Sequence, residues 1–294
     1  MKNRRAFSLT ELSIVLLVIS ALIAGIVKGG SMIQASRISV ARNYTVNSMV
    51  PKIPGLIAWY ETSLKESFKP SDKTDGAQIS TWYDISPGSI IAQKNSLTRT
   101  ASSAVTTEIS GINKIPSVSF DGTGILNLNS FYQGQLSTYN SFFIVYRPIE
   151  GSSAYSKIIL DAYSGTKAIG LQADKVGIWD TSIGGYRFTS TATNPISITG
   201  GANYILTIIL NTTSSKVFQN SITNIAGGSN VAVISSAATT GLSIGGNQWN
   251  SANNNTYAGL VSEIIIYDRI VQANERREIL GYLSKKYDIA IDDL

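Results

Sequence analysis

From Phe7 to Val27 nearly every position is apolar or small, and Glu11 carries the only charge. At about 1.5 Å of rise per residue the stretch makes a helix of roughly 32 Å, enough to span the hydrocarbon core of a bilayer. Lys28-Gly29-Gly30 follows and reads as an end or flexible point of that helix. Ser31 to Val50 still suits a helix, with Ile33, Val40 and Tyr44 on one side at helical spacing and Ala35, Ile38, Val46 and Met49 on another. Two partly apolar sides fit a helix held between two partners, and a plain juxtamembrane linker fits the same weak pattern. Pro51 and Pro54 stop it.

Beyond Gly55 the texture changes to short apolar or alternating runs parted by Gly, Asn, Ser and Thr. The runs predict strands over Leu56–Tyr60, Ile79–Asp84, Ser117–Phe120, Gly124–Leu128, Ser141–Arg147, Lys157–Ala162 and Ala168–Gln172. The series continues over Lys175–Trp179, Tyr186–Thr189, Tyr204–Leu210, Lys216–Asn220, Ala232–Ser235, Leu242–Gly245 and Ala258–Tyr267. So many strands without intervening helices predict an antiparallel β-sandwich, whose commonest large form is the jelly roll. Gln272 to Tyr287 differs. Ile279, Leu280, Leu283 and Tyr287 share one side, with Glu275, Arg276, Arg277 and Glu278 largely opposite, so an amphipathic helix should lie on the sandwich and end before Asp288. The predicted class is mainly β with a long N-terminal α-helix and a C-terminal amphipathic helix.

Composition narrows the chemistry. The 294 residues are 43% hydrophobic and 9% aromatic, which is enough for a membrane segment and one large or two small domains with a proper core. The 24 basic against 19 acidic residues leave +5, but Lys2, Arg4 and Arg5 crowd the first few positions, so the balance gives no argument for nucleic acid. There is no cysteine and no histidine. That removes disulfides, thiolate chemistry, Ser-His-Asp catalysis, imidazole general bases and histidine-based zinc sites.

Basic residues before the apolar run place that end in the cytoplasm. A carboxylate in such a helix costs on the order of 2.5 to 3.5 kcal/mol near the bilayer centre and less near its edge, so Glu11 needs a use. Ser8-Leu9-Thr10-Glu11 forms a capping box, which is one use. A secretory signal peptide is a poorer fit, because its apolar region runs about 7 to 15 residues and ends at an A-x-A-like site that Met32-Ile33-Gln34-Ala35 does not supply. An uncleaved signal anchor is a further alternative. The whole stretch resembles the N-terminus of type IV pilins and pseudopilins: a short basic leader, a small residue, then Phe with Glu at the fifth position. The resemblance implies a prepilin peptidase cutting between Ala6 and Phe7, N-methylation of Phe7, and pairing of Glu11 with the Phe7 ammonium of a neighbouring subunit. Ala6 departs from the family's usual Gly. By this resemblance residues 1–6 are a leader, 7–50 a transmembrane and stem helix, and 51–294 a head.

Trp59-Tyr60, then Gly76 to Asp84, Ile115 to Gly122 and Gly259 to Arg269 come in a recognisable order. A helix with Glu275, Arg276, Ile279, Tyr282-Leu283 and Lys286-Tyr287 follows them. Together they resemble bacterial concanavalin A-like or laminin G-like jelly-roll domains over roughly Ile53 to Ile289. The resemblance implies a surface-exposed role in binding glycans or proteins and names no ligand.

Glycosidases need paired carboxylates on one face. Glu263 and Asp268 are five residues apart, on opposite faces of a strand, so Glu263 reads as an outward residue, Asp268 as a turn or cap, and no catalytic residue is assigned. Asp121-Gly122-Thr123-Gly124 and the Asn247–Asn255 loop offer oxygens of the kind calcium accepts, but Asp-Gly is also ordinary turn chemistry, and no metal or cofactor is assigned. Asn247, Gln248, Trp249 and Asn250 put an aromatic face beside amides, as glycan binding requires, whereas Trp59, Trp82 and Trp179 lie in apolar runs and read as core. The expectation is a non-enzymatic structural subunit, minor or at the tip and adhesive, of a type IV pilus or type II secretion-like pseudopilus. It would stand in the bacterial inner membrane before assembly, with prepilin peptidase, other pilin subunits and an assembly platform as partners, and a glycan or surface protein as ligand. The rival is a membrane-anchored lectin-like adhesin that does not polymerise.

Overall fold

The structure, a computed structural model, describes residues 8–87, 95–100, 104–131, 139–149, 157–162, 168–172, 175–180, 185–188, 199–211, 215–223, 241–246 and 256–294. It opens on helix α1 (Leu9–Val46), 38 residues and about 57 Å long. The capping box read from the sequence is formed: Glu11 N–H donates to Ser8 Oγ (3.2 Å) and Ser8 N–H donates to Glu11 Oε2 (2.8 Å). Gly29 and Gly30, expected to break or loosen the helix, lie inside it. Two glycines cost about 1 kcal/mol each, but the helix continues because the turns just beyond are bound to the rest of the chain. Gln34 Nε2 donates to the Ile109 carbonyl (2.7 Å), Arg42 Nε to that of Ser63 (2.6 Å), and Arg37 Nη1 to that of Asn113 (3.4 Å). Asn47 closes α1 before Val50 is reached, and a short 3-10 turn, Val50–Lys52, carries Pro51.

Two antiparallel sheets follow. The first runs β13 (Lys216–Gln219), β12 (Tyr204–Leu210), β7 (Asn140–Pro148), β15 (Ala258–Tyr267), β5 (Ser117–Asp121) and β4 (Val105–Glu108), with β1 (Leu56–Glu61) also pairing with β15. The second runs β11 (Gly185–Phe188), β10 (Lys175–Asp180), β9 (Ala168–Gln172), β8 (Lys157–Ala162), β14 (Leu242–Ile244), β6 (Leu126–Leu128), β3 (Leu97–Arg99) and β2 (Thr81–Trp82). Most predicted strands form within a residue or two. The Ile79–Asp84 run shortens to β2, β3 and β4 were not anticipated, and Ala232–Ser235 lies outside the described residues. β3 and β4 are three and four residues long, too short for periodicity to register.

Alternation places the cores. Tyr60, Phe142, Ile144, Tyr146, Leu206 and Ile264 of the first sheet meet Trp82, Leu97, Leu126, Leu160 and Ile244 of the second in one apolar cluster between the sheets. The other face of the first sheet offers Trp59, Phe143, Val145, Ile205 and Ile265, which helix α2 (Ala273–Tyr287) covers with Ile279, Leu280, Leu283 and Tyr287. Each such side chain contributes about 1.5 to 3 kcal/mol on burial. Ala41 of α1 joins that second cluster, so the far half of the stem helix packs against α2. The helix starts not at Asp268 but behind Gln272, whose N–H donates to Glu275 Oε2 (2.8 Å). Asp268 occupies the turn after β15.

Candidate functional site

Strands β1 and β15 run antiparallel in a register that sets Glu61 directly opposite Glu263. Both carboxylates point to the face under α2, where Lys286 Nζ donates to Glu61 Oε2 at 2.9 Å and to Glu263 Oε2 at 2.8 Å. All three side chains are fully buried. Glu263 is therefore turned away from the inter-sheet core, as its sequence reading required, but into a helix instead of solvent. A register shift between Val261 and Glu263 sets its aim.

The remaining lone pairs are taken. Glu263 Oε1 accepts from Trp59 Nε1 (2.7 Å) and Tyr282 Oη (2.8 Å), and Oε2 accepts from Tyr287 Oη (2.9 Å). Glu61 accepts from the Ser63 N–H (2.9 Å), Ser63 Oγ (2.6 Å), Ser67 Oγ (2.7 Å) and the Leu64 N–H. Thr45 of α1 reaches Tyr282 Oη at 3.3 Å, which ties the stem to this cluster. Burial alone would raise the Glu61 carboxyl, but the Lys286 charge and the serine hydroxyls outweigh it and hold it below its ordinary value. Burial likewise pulls Lys286 down, and the two glutamates push it above its ordinary 10.5. Burial and then Glu263 drive the Tyr282 and Tyr287 phenols well up. The cluster is closed to solvent and internally paired, so its chemistry is that of a bolt between sheet, helix and stem.

The sequence carried one legible sign of it. Lys286 stands seven residues after Ile279, on the apolar side of α2, where a lysine needs a buried partner. Glu61 gave no such sign, because only the strand pairing makes it a neighbour.

The sequence-predicted residues fare differently. Trp59 (3% exposed) and Trp82 (0%) are core, as expected; the side chain of Trp179 lies outside the description. Asp121 Oδ1 accepts from Thr123 N–H and Oγ1, both at 2.8 Å, which is the turn chemistry weighed against calcium. Among the described residues no group of three acidic or metal-ligating side chains gathers. Ala6, Phe7, Asn247, Trp249, Asn250 and the rest of the Asn247–Asn255 loop lie outside the described residues. Glu11 sits exposed at the start of α1, engaged with Ser8. No other described helix is long and apolar enough to cross a membrane.

No protein-family model matches the chain and no curated protein matches it. Solved structures do. Domain 4 of AbnA, a GH43 extracellular arabinanase from Geobacillus stearothermophilus in complex with arabinotriose, superposes with a TM-score of 0.52 at 16% identity, covering 76% of this chain and 97% of that one. The binding domain of Paraclostridial Mosquitocidal Protein 1 gives 0.52 at 13% identity over 78% of this chain, and the binding domain of botulinum neurotoxin serotype G gives 0.52 at 10% over 78%. The chain spans only about half of those two structures, 52% and 51%. At these identities the likeness shows the fold alone, a mainly β jelly-roll sandwich.

Proposed function

We propose that the chain is a pilin-type surface subunit, held in the inner membrane by α1 before assembly and packed through it into a pilus or pseudopilus afterwards, with a jelly-roll head that binds a glycan or surface protein. The observation that carries this reading is the division of α1. From Leu9 to Ile26 its large apolar side chains are exposed on every side, Ile14 at 63%, Leu17 at 71% and Ile26 at 74% among them. A helix apolar all round must be buried by something outside its own chain, first lipid and then neighbouring helices. The far half is tied to the head through Gln34, Ala41, Arg42 and Thr45. Glu11 then has a partner to find, and an N-methylated Phe7 amine from the next subunit supplies it. On this reading residues 1–6 leave as a leader, 7–50 form the stem and 51–294 the head.

Catalysis is no part of the proposal: among the described residues the facing carboxylates Glu61 and Glu263 are sealed and bridged by Lys286. The partners are a prepilin peptidase, other pilin subunits, an assembly platform and the membrane. Mass spectrometry of the mature N-terminal peptide tests the reading: it should begin at methylated Phe7, and a chain that keeps Met1 or begins beyond residue 30 would overturn it.

A second reading is a membrane-held, lectin-like adhesin that never polymerises. It is favoured by the head's likeness to binding domains, which asks nothing of the stem beyond anchoring. Glu11→Ala separates the two. A subunit should insert normally and enter filaments poorly; an anchor should tolerate the change.

A further inference from the structure

The far half of α1 and the head leave a cleft of about 270 Å³ between them. Its stem wall is one stripe of the helix, Ser31, Gln34, Ala35, Ile38 and Arg42, at the spacing that keeps residues on one side. Ala35 and Ile38 share the lining with Leu64, Phe68, Ile109 and Pro116 of the head, so the walls are largely apolar. Two cations also line the cleft, Arg42 and Lys73, and no carboxylate does. Arg42 uses Nε on the Ser63 carbonyl (2.6 Å) and Lys73 Nζ donates to the Lys65 carbonyl, but among the described residues neither pairs with an acid. Asp72 and Asp75, the acids beside Lys73 in sequence, are engaged elsewhere. Asp72 accepts from the Ser80 N–H (2.8 Å), Ser80 Oγ (2.6 Å) and Ser71 Oγ (2.6 Å), and Asp75 from the Ile109 N–H (3.0 Å).

We propose that this cleft binds a single-chain carboxylate, a long-chain fatty acid, with its tail along Ile38 and Phe68 and its head on Arg42 and Lys73. Apolar walls favour a hydrocarbon chain, and a guanidinium with an ammonium supplies the charged donors that a carboxylate accepts from. No acid in the lining repels it. Pockets for whole small ligands run from about 300 to 1,000 Å³, so this one has room for one chain and not for the two chains of a phospholipid. Its position supplies the source. Ser31 stands five residues past Ile26, the end of the exposed apolar run, or about 7.5 Å along the helix. With that run in hydrocarbon, the cleft opens at the level of the polar headgroups, where a membrane holds its fatty acids. The proposal goes beyond the pilin reading and asks only that α1 enter a membrane, whether the chain polymerises or stays an anchor.

The test puts the full chain into phosphatidylcholine nanodiscs with a photoactivatable palmitic acid or, in separate discs, a photoactivatable phosphatidylglycerol, and maps the label by peptide mass spectrometry. The fatty acid should label residues 64–68 and 109–116 of the head. Unlabelled palmitate should compete, and hexadecanol, which has the chain without the charge, should not. Lys73→Gln should weaken the labelling about tenfold, because a charge-assisted hydrogen bond is lost, while the denaturant midpoint stays that of the parent. Ile38→Trp should abolish it by filling the cleft. Labelling that hexadecanol displaces as well as palmitate does, or that survives both variants, overturns the carboxylate site. Label confined to residues 9–28 overturns it too, as does labelling of the head by phosphatidylglycerol alone. None of these outcomes bears on the N-terminal mass, which decides the stem separately.

Discussion

The two sheets turn very different outer faces to the rest of the molecule. Behind the first, α2 covers a largely apolar face that also buries Glu61, Glu263 and Lys286, where each charge is met by an opposite charge and by hydroxyl, indole or backbone donors, while Thr207 Oγ1 on the same face is left without a partner among the described residues. On the second, a polar row of Asn127, Ser243 and Asp161, paired across β6, β14 and β8, also goes under cover, but the Asn127 amide is left without a partner among the described residues. Both faces bury polar groups at a cost. Saturated, such a group fixes an architecture; unsaturated, it only costs stability.

The contrast breaks most visibly at Lys286. Lys286→Met leaves two buried carboxylates without their cation and should cost about 3 to 5 kcal/mol, read as a lowered denaturant midpoint of the full chain in detergent. Adding Glu61→Gln and Glu263→Gln to that variant should recover much of the loss, since the charges act as one unit. An unchanged midpoint in the single variant would mean that the cluster is not ionised.

Acid should come next. The Glu61 carboxyl lies below its ordinary value. Asp293, despite what burial it has, is held at about 2 by the Ile222 and Thr223 N–H groups and the Thr223 and Ser221 hydroxyls. Groups depressed in the folded state stabilise above their unfolded values, 4.5 and 3.8, and lose that contribution as pH falls through the folded ones. Lys286, raised, contributes fully below 10.5 and fails only as pH rises through its higher folded value. The denaturant midpoint should therefore hold across neutral pH and drop from about pH 4 to pH 2. A flat profile down to pH 2 would contradict the assigned charges.

Thr45→Val is a smaller probe of how the stem is tied to the saturated face. It removes the 3.3 Å contact to Tyr282 and should cost about 1 kcal/mol, seen as faster proteolysis between Val46 and Gly55 with the head intact. Asn127→Leu sharpens the other side with the smallest effect. Taking away an unpartnered amide should leave the midpoint within about 0.5 kcal/mol or raise it, and a marked loss would show that Asn127 was paired after all.

Much of the fold was legible in the chain. The apolar run of α1, the alternating strands and the apolar side of α2 are local patterns, and burial follows them. The Gly29-Gly30 break did not appear, because Gln34, Arg37 and Arg42 bind carbonyls far along the chain and hold the helix past its weak point. Lys286 hinted at a buried partner by its place in α2 and could not name it.

Left to itself, the sequence determined which residues must leave water and in what period: the stem, the strand faces, the covering helix, and the absence of histidine and cysteine chemistry. Only the tertiary structure decided which polar residues meet. Trp59 and Glu263 are 204 positions apart, and Glu61 faces Glu263 through the pairing of the first strand with the last. Periodicity is a property of neighbours along the chain, whereas strand register is chosen by the collapse of the whole core. Which charges are satisfied and which amide is left open follows from the register.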